Sequence, residues 1–239
     1  MLNKGIELIR NATREELLSR EFLETKLILE LGLCPEYPEE QSSALQEYLG
    51  GGFGWKVWQY PNQFAPYLLW LAEHASHINS YIEVGCRHGG TFVLTCEYIK
   101  RFNSNFNKAA AVDLELQAPL LVEYNNVFPF EYYQGDSHSE DFQQWIKDKK
   151  FDLCFIDGDH SYKGVKQDYE LLKDKGSIFV FHDVDSVIFD HRHQAGTTVY
   201  WEHFKEEHKD LGNVWEFIEQ YPDTPKRGPF LGIGVYKTK

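Results

Sequence analysis

The chain has 239 residues, 42% of them hydrophobic and 26% charged, which excludes disorder and fibrous repeats and suits one large domain or a domain with an appendage. Its 37 acidic residues outweigh 24 basic ones for a net charge of −13, against a surface built to neutralise a nucleic-acid backbone. No apolar run approaches the roughly 20 residues that span a bilayer, and charges interrupt residues 1–18 where a signal peptide needs its apolar stretch. The expectation is a cytoplasmic protein with neither a membrane nor a nucleic-acid partner.

In chain order, Thr13-Arg14-Glu15-Glu16 has the form of a capping box, and it opens an apolar pattern at Leu17, Leu18, Phe22, Leu23, Leu27 and Ile28 that predicts a helix. Gly50-Gly51-Gly52, with Gly54 just after, is the most flexible stretch, and Trp55, Trp58 and Tyr60 follow at once. A further helix is expected over 63–75. Residues 1–76 therefore read as a helical N-terminal region packed on the rest, with 50–58 a candidate lid whose tryptophans would cover an acceptor.

From Ser80 onward short apolar runs alternate with amphipathic ones, the pattern of a parallel sheet wound through helices. Strands are predicted at 81–84, 109–113, 131–134, 151–156 and 177–181, and helices at 91–102, near 116–124, at 139–147 and at 163–173. Two more strands, at 214–217 and 230–236, flank a Pro-rich loop, and the last can close the sheet antiparallel. Trp201, Phe204 and Trp215 read as core. Cys34, Cys86, Cys96 and Cys154 form no C-x-x-C pair, so reduced buried thiols are expected rather than zinc or disulfides.

Ligands of such sheets collect at the carboxyl ends of the strands, where the unusual residues fall. Glu83-Val84-Gly85-Cys86-Arg87-His88-Gly89-Gly90-Thr91 is a strand end, a glycine turn and a helix start. The spacing G-x-x-x-G-G behind an acid is not the dinucleotide G-x-G-x-x-G, and Glu83 suits an ammonium group better than a pyrophosphate. A turn without ligand is the bland alternative. Asp113 ends the second strand, where an acid can accept both ribose hydroxyls of an adenosine, and Gly135-Asp136-Ser137 ends the third, where it can border the adenine. The fourth strand delivers Asp157-Gly158-Asp159-His160-Ser161-Tyr162, and the fifth delivers His182-Asp183. Carboxylates suit a hard divalent cation such as magnesium, and the imidazoles also admit manganese, iron or zinc. Solvated tip residues with a helix cap at Ser161 or Asp159 would look the same.

Glu83-x-Gly85-x-x-x-Gly89-Gly90, Asp113, Gly135-Asp136-Ser137, the 155–162 stretch and Phe181-His182-Asp183 together resemble the class I S-adenosylmethionine-dependent methyltransferases. Within that class, Asp-Gly-Asp-His-Ser-Tyr with a later His-Asp is similar to the small-molecule O-methyltransferases labelled cephalosporin hydroxylase-like or methyltransferase family 24-like. The resemblance runs from about residue 80 to 236. It implies a three-layer αβα, Rossmann-like α/β fold, with a seven-stranded, mostly parallel sheet whose last strand is antiparallel, formed by 77–239 behind the helical region 1–76.

By the same resemblance, Glu83, Gly85, Gly89 and Gly90 would hold the methionine part of S-adenosylmethionine, Asp113 the ribose, and Asp136 with Ser137 the adenine. Asp157, His182 and Asp183 map onto the magnesium ligands of metal-dependent relatives, His182 being a departure where an oxygen ligand is usual. His160 maps onto the catalytic base and can do that task near neutral pH. The implied reaction is metal-assisted methylation of a small-molecule hydroxyl by in-line displacement, with a homo-oligomer compatible. The competing classes are a non-catalytic cofactor-binding protein and an NAD-dependent oxidoreductase. Asp190-His191-Arg192-His193 reads as a polar loop over the site rather than an oxygenase iron site.

Overall fold

The computed structural model describes residues 2–187, 196–223 and 228–239, so the 190–193 cluster lies outside the described residues. Its centre is one sheet of β1 (Ser80–Val84), β2 (Lys108–Asp113), β3 (Glu131–Gln134), β4 (Leu153–Ile156), β5 (Ile178–His182), β6 (Gly212–Phe217) and β7 (Ile233–Thr238). The order across it is β3-β2-β1-β4-β5-β7-β6. β1 to β5 pair in parallel, and β7 runs antiparallel to both β5 and β6. The last strand is antiparallel as expected, but it enters between β5 and β6 and leaves β6 at the edge.

The helices are α1 (Leu2–Asn11), α2 (Arg14–Leu17), α3 (Arg20–Phe22), α4 (Ile28–Leu31), α5 (Pro61–His74), α6 (Gly90–Phe102), α7 (Pro119–Asn125), α8 (Glu140–Ile146), α9 (Tyr162–Leu172) and α10 (Thr197–His208). Strand alternation divides the core between two faces. Tyr81, Leu153, Phe155 and Val180 pack on one side with Phe64 and Leu68 of α5, Phe92 and Val93 of α6, and Ile6 and Ile9 of α1. Ile82, Cys154, Ile156 and Phe181 pack on the other with Phe142 of α8, Tyr169 of α9, and Trp201 and Phe204 of α10. Strands covered on both faces need apolar residues at successive positions, which is why β2, β4 and β5 read as apolar runs up to their tips. Trp201 and Phe204 are core as expected, and Trp215 is half-buried against the first cluster.

The N-terminal region shares that first core. The capping box forms: Glu16 N donates to Thr13 Oγ1 at 3.1 Å and Thr13 N to Glu16 Oε2 at 2.7 Å. The apolar pattern behind it is not one helix, because Ser19 is a second cap, its Oγ accepting from Phe22 N, and a π-helical turn at Leu23–Leu27 joins α3 to α4. α5 begins at Pro61, two residues earlier than expected, with proline at a first-turn position where its missing N–H costs nothing. Buried Glu97 on α6 accepts from Arg10 of α1 at 2.8 and 3.1 Å and from Tyr124 of α7 at 2.9 Å, fastening these helices together. All four cysteines are free and buried.

The expectation that Trp55 covers an acceptor is corrected here. Trp55 is fully buried, and its indole occupies the space a Cβ on Gly5 would take, 2.5 Å from that position. It staples residues 53–58 to α1. Trp55→Ala should cost about 3–5 kcal/mol as a large core truncation, lowering the melting midpoint by roughly 6–20 °C at the 2–4 °C per kcal/mol typical of this size. A differential scan that finds no change would show the indole is not a core anchor.

Candidate active site

β1 pairs with β2 on one side and β4 on the other, so the chain winds away in both directions and leaves a crevice at the carboxyl ends. A cavity of about 630 Å³ opens there, a size suited to a ligand of cofactor dimensions. Gly85 makes the crevice possible. It has φ +87°, and a Cβ on it would stand 2.0 Å from the Asp157 carbonyl oxygen, so only glycine lets the β1 and β4 tips meet. Gly90 is small for another reason: a Cβ there would stand 2.2 Å from the carbonyl oxygen of Trp55, so it makes room for the N-terminal strap as well as walling the cavity.

Glu83 lines the cavity yet is almost wholly buried, and Tyr81 Oη donates to its Oε2. Burial pushes this carboxyl up to about 8, with the Tyr81 hydrogen bond pulling against the rise and Asp157 adding to it. Asp113 stands at the tip of β2, accepting from Arg87 N at 2.6 Å and Glu115 N at 3.0 Å. Asp136, Ser137 and Gly89 also line the cavity, and Asp136 accepts from His138 N at 2.8 Å.

At the β4 and β5 tips the structure brings together Asp157, His160, His182 and Asp183. His160 Nδ1 lies 2.6 Å from Asp183 Oδ2, and its Nε2 lies 3.8 Å from Asp157 Oδ1. His182 Nδ1 lies 3.0 Å from Asp157 Oδ1 and 3.4 Å from Asp183 Oδ2, while its Nε2 donates to the Trp58 carbonyl at 3.1 Å. Asp183 is not on the cavity wall; it is 1% exposed, beneath the two imidazoles, at φ +58°. Burial pushes both imidazoles down in pKa, but the facing carboxylates outweigh it: Asp183 and Asp157 raise His160, and Asp157 with Asp183 raise His182 well above its usual value. Burial alone would raise Asp183, and His182 and His160 instead hold it well below the ordinary carboxylate range.

Donor atoms of Asp157, His160 and Asp183 lie within 4.8 Å of one another, so His160, read from sequence as a base alone, is also within reach of a shared cation. Sequence reasoning missed the walls formed by Tyr37, Lys56, Arg87, His88 and His138. Trp58 of the candidate lid does line the cavity, with Tyr37 edge-on at 5.8 Å and the Arg87 guanidinium 5.3 Å from its ring centre. Glu36 accepts from Arg87 Nη2 and from His88 Nε2, closing the strap onto the glycine loop.

Residues 82–184 match a family described as a methyltransferase domain. Among solved structures, an O-methyltransferase from Bacillus cereus in complex with S-adenosylhomocysteine aligns over 100% of both chains with 14% identity and a TM-score of 0.51. The O-methyltransferase TomG from Streptomyces achromogenes, involved in tomaymycin synthesis and solved with S-adenosylmethionine, aligns over 87% of this chain and 92% of its own, again with 14% identity and a TM-score of 0.51. The MycE methyltransferase of the mycinamycin pathway aligns over 73% of this chain at 13% identity and a TM-score of 0.49, and this chain spans 49% of its length. No curated protein sequence matches the chain.

The raised Glu83 carboxyl has a signed consequence for stability. Unfolded, it ionises near 4.5, and folded near 8, so the stability it contributes is complete below the lower value and lost as pH rises through the upper one. Glu83→Gln does not titrate. Its melting midpoint should therefore gain on the wild type between pH 5 and pH 8, and an equal difference at both pH values would contradict the shift.

Proposed function

Residues 82–184 match a methyltransferase-domain family and the fold is that of solved O-methyltransferases, and from this we propose that the chain is a class I S-adenosylmethionine-dependent methyltransferase acting on a hydroxyl group of a small molecule, with His160 as the base. The observation that carries this reading is the contact between His160 Nδ1 and the buried Asp183 Oδ2. A carboxylate 2.6 Å from Nδ1 favours a proton on that nitrogen, which leaves Nε2 as the one to accept a proton from the acceptor. His160 sits on the cavity wall beyond the glycine loop, where an acceptor would meet the cofactor's methyl carbon.

Methyl transfer is an in-line displacement, so the protein's task is to align the acceptor oxygen with that carbon, exclude water and take away the hydroxyl proton. Glu83 would face the ammonium of the cofactor, Asp113 its ribose hydroxyls, and Asp136 with Ser137 its adenine. No nucleophilic side chain is required.

The donor set fits a divalent cation. His182 Nε2 must carry its proton to donate to a carbonyl, so Nδ1 turns a lone pair toward Asp157 and Asp183 unless a proton or a cation lies between them. Asp183 Oδ1 is buried without a hydrogen-bond partner among the described residues. Asp157, His182 and Asp183 would hold the ion, which when bound lowers the pKa of a coordinated hydroxyl. Sugars, phenols and other natural-product hydroxyls are the acceptor class.

Two measurements test this. His160→Ala should cut turnover by about 10²–10⁴ while leaving S-adenosylhomocysteine affinity nearly intact, and Asp113→Ala should do the reverse, with turnover read on a panel of phenols and glycosides. Equal effects on both quantities would overturn the division of roles. In thermal unfolding, S-adenosylhomocysteine at about 100 times its Kd should add roughly 2.7 kcal/mol. Magnesium or manganese should raise the midpoint further, and Asp157→Asn or EDTA should remove that second rise. Stabilisation by NAD instead would remove the methyltransferase reading.

A further inference from the structure

Lys56 stands on the cavity wall although it comes from the N-terminal region, and its backbone has φ +56°, the left-handed region that a lysine adopts only when its surroundings compel it. Those surroundings are explicit. Trp55 N donates to Leu31 O and Val57 N to Gly32 O, each at 2.9 Å, and the Val57 carbonyl accepts from Cys34 N at 2.9 Å. On the far side, the Trp55 carbonyl occupies the space left by Gly90 at the start of α6, and the Trp58 carbonyl accepts from His182 Nε2. The strap is thus clamped at 55, 57 and 58, across the mouth between the glycine loop and the β5 tip.

Six carboxyl side chains line the cavity, Glu83, Asp113, Glu115, Asp136, Asp157 and Asp159, and the histidines on its wall are already turned to carboxylates: His88 to Glu36, His138 to Asp168, and His160 and His182 to Asp157 and Asp183. Arg87, also on the wall, is engaged by Glu36. Lys56 forms no ion pair or hydrogen bond among the described residues. An acidic wall suits the sulfonium and ammonium charges of S-adenosylmethionine, and the cofactor carries one anion, its carboxylate. The first turn of α6 beside the strap has no side-chain cap, so its N–H groups favour the same charge.

We propose that Lys56 receives the carboxylate of the cofactor's amino-acid end, so that the N-terminal strap completes the cofactor site opposite Glu83. This rests on the methyltransferase reading above. It assigns the strap a role in cofactor binding, distinct from covering the acceptor, and sets an ammonium side chain and a carboxyl side chain at the two ends of the amino-acid group. An acceptor carboxylate or phosphate is the other source of the same chemistry.

The test is titration calorimetry of wild type, Lys56→Gly and Lys56→Arg with S-adenosylhomocysteine and with 5′-methylthioadenosine, which keeps the nucleoside but lacks the carboxylate and ammonium. Glycine relieves the positive φ, so Lys56→Gly should melt no lower than wild type, and any loss of affinity is then not a folding defect. The proposal expects Lys56→Gly to weaken S-adenosylhomocysteine by about tenfold or more, as for a lost charge-assisted hydrogen bond. It also expects methylthioadenosine binding to stay unchanged and Lys56→Arg to recover most of the loss. An unchanged affinity ratio in Lys56→Gly overturns it and leaves the acceptor as the anion Lys56 meets. If the wild type binds neither nucleoside, the cofactor reading itself fails, and this proposal with it.

Discussion

The meeting of the β1 and β4 tips governs everything at the carboxyl edge of the sheet. Gly85 lies against the Asp157 backbone at a distance no side chain would permit, Asp157 N donates to Val84 O at 2.8 Å, and Gly85 N donates to Val112 O at 2.8 Å. Three strand ends are therefore locked by main-chain bonds. Glu83, Asp113 and Asp157 keep their relative positions whatever their side chains are doing, so the part of the cavity at the glycine loop is held in register with the part at the β4 and β5 tips. An in-line displacement is sensitive to misplacement on the ångström scale, so a backbone lock is the appropriate source of precision.

The charges placed on that frame work against the fold. Burying ions costs several kcal/mol each before pairing returns any of it, and here Asp183 is buried with two imidazoles above it, at a backbone angle that is itself strained. Glu83 is likewise held out of water and close to neutral. The compensation lies elsewhere, in two apolar layers that cover both faces of the sheet. Asp183 Oδ1 is left without a hydrogen-bond partner among the described residues, and a buried polar group in that state is a net cost to the fold.

The sheet was legible because doubly covered strands announce themselves as apolar runs, and the residues that break those runs, Asp113, Asp157 and His182, are the ones at the tips. The glycine loop was legible for the same local reason. What escaped was long-range. Nothing near Tyr37 distinguishes a cavity wall from a surface loop, and the glycines and tryptophans around Lys56 suggest a lid without saying which side chains face the cavity, since that placement depends on Leu33 bridging to both Leu49 and Val57. Trp55 and Trp58 are three residues apart and look equivalent in sequence, yet one faces Gly5 in the core and the other the cavity. His138 gains its significance from Asp168, 3.2 Å from its Nε2 and thirty positions later. The entry of β7 between β5 and β6 is a pairing choice that no strand's own composition declares.

Residues 82–184, the part matched to the methyltransferase family, contain every strand tip from β1 to β5 but not the strap. Tyr37, Lys56 and Trp58 come from outside it, and so do the apolar contacts that hold them, which belong to the same core as the sheet's first face. The hydrogen bond from His182 Nε2 to the Trp58 carbonyl joins the two parts at the point of greatest chemical consequence. It keeps a proton on Nε2 of an imidazole facing two carboxylates, and it ties the strap to the β5 tip. A shift of the strap would therefore alter both the shape of the binding space and the charge state of the cluster beneath it. The N-terminal helices, bland in sequence, are for that reason part of the site's electrostatics as well as of its walls.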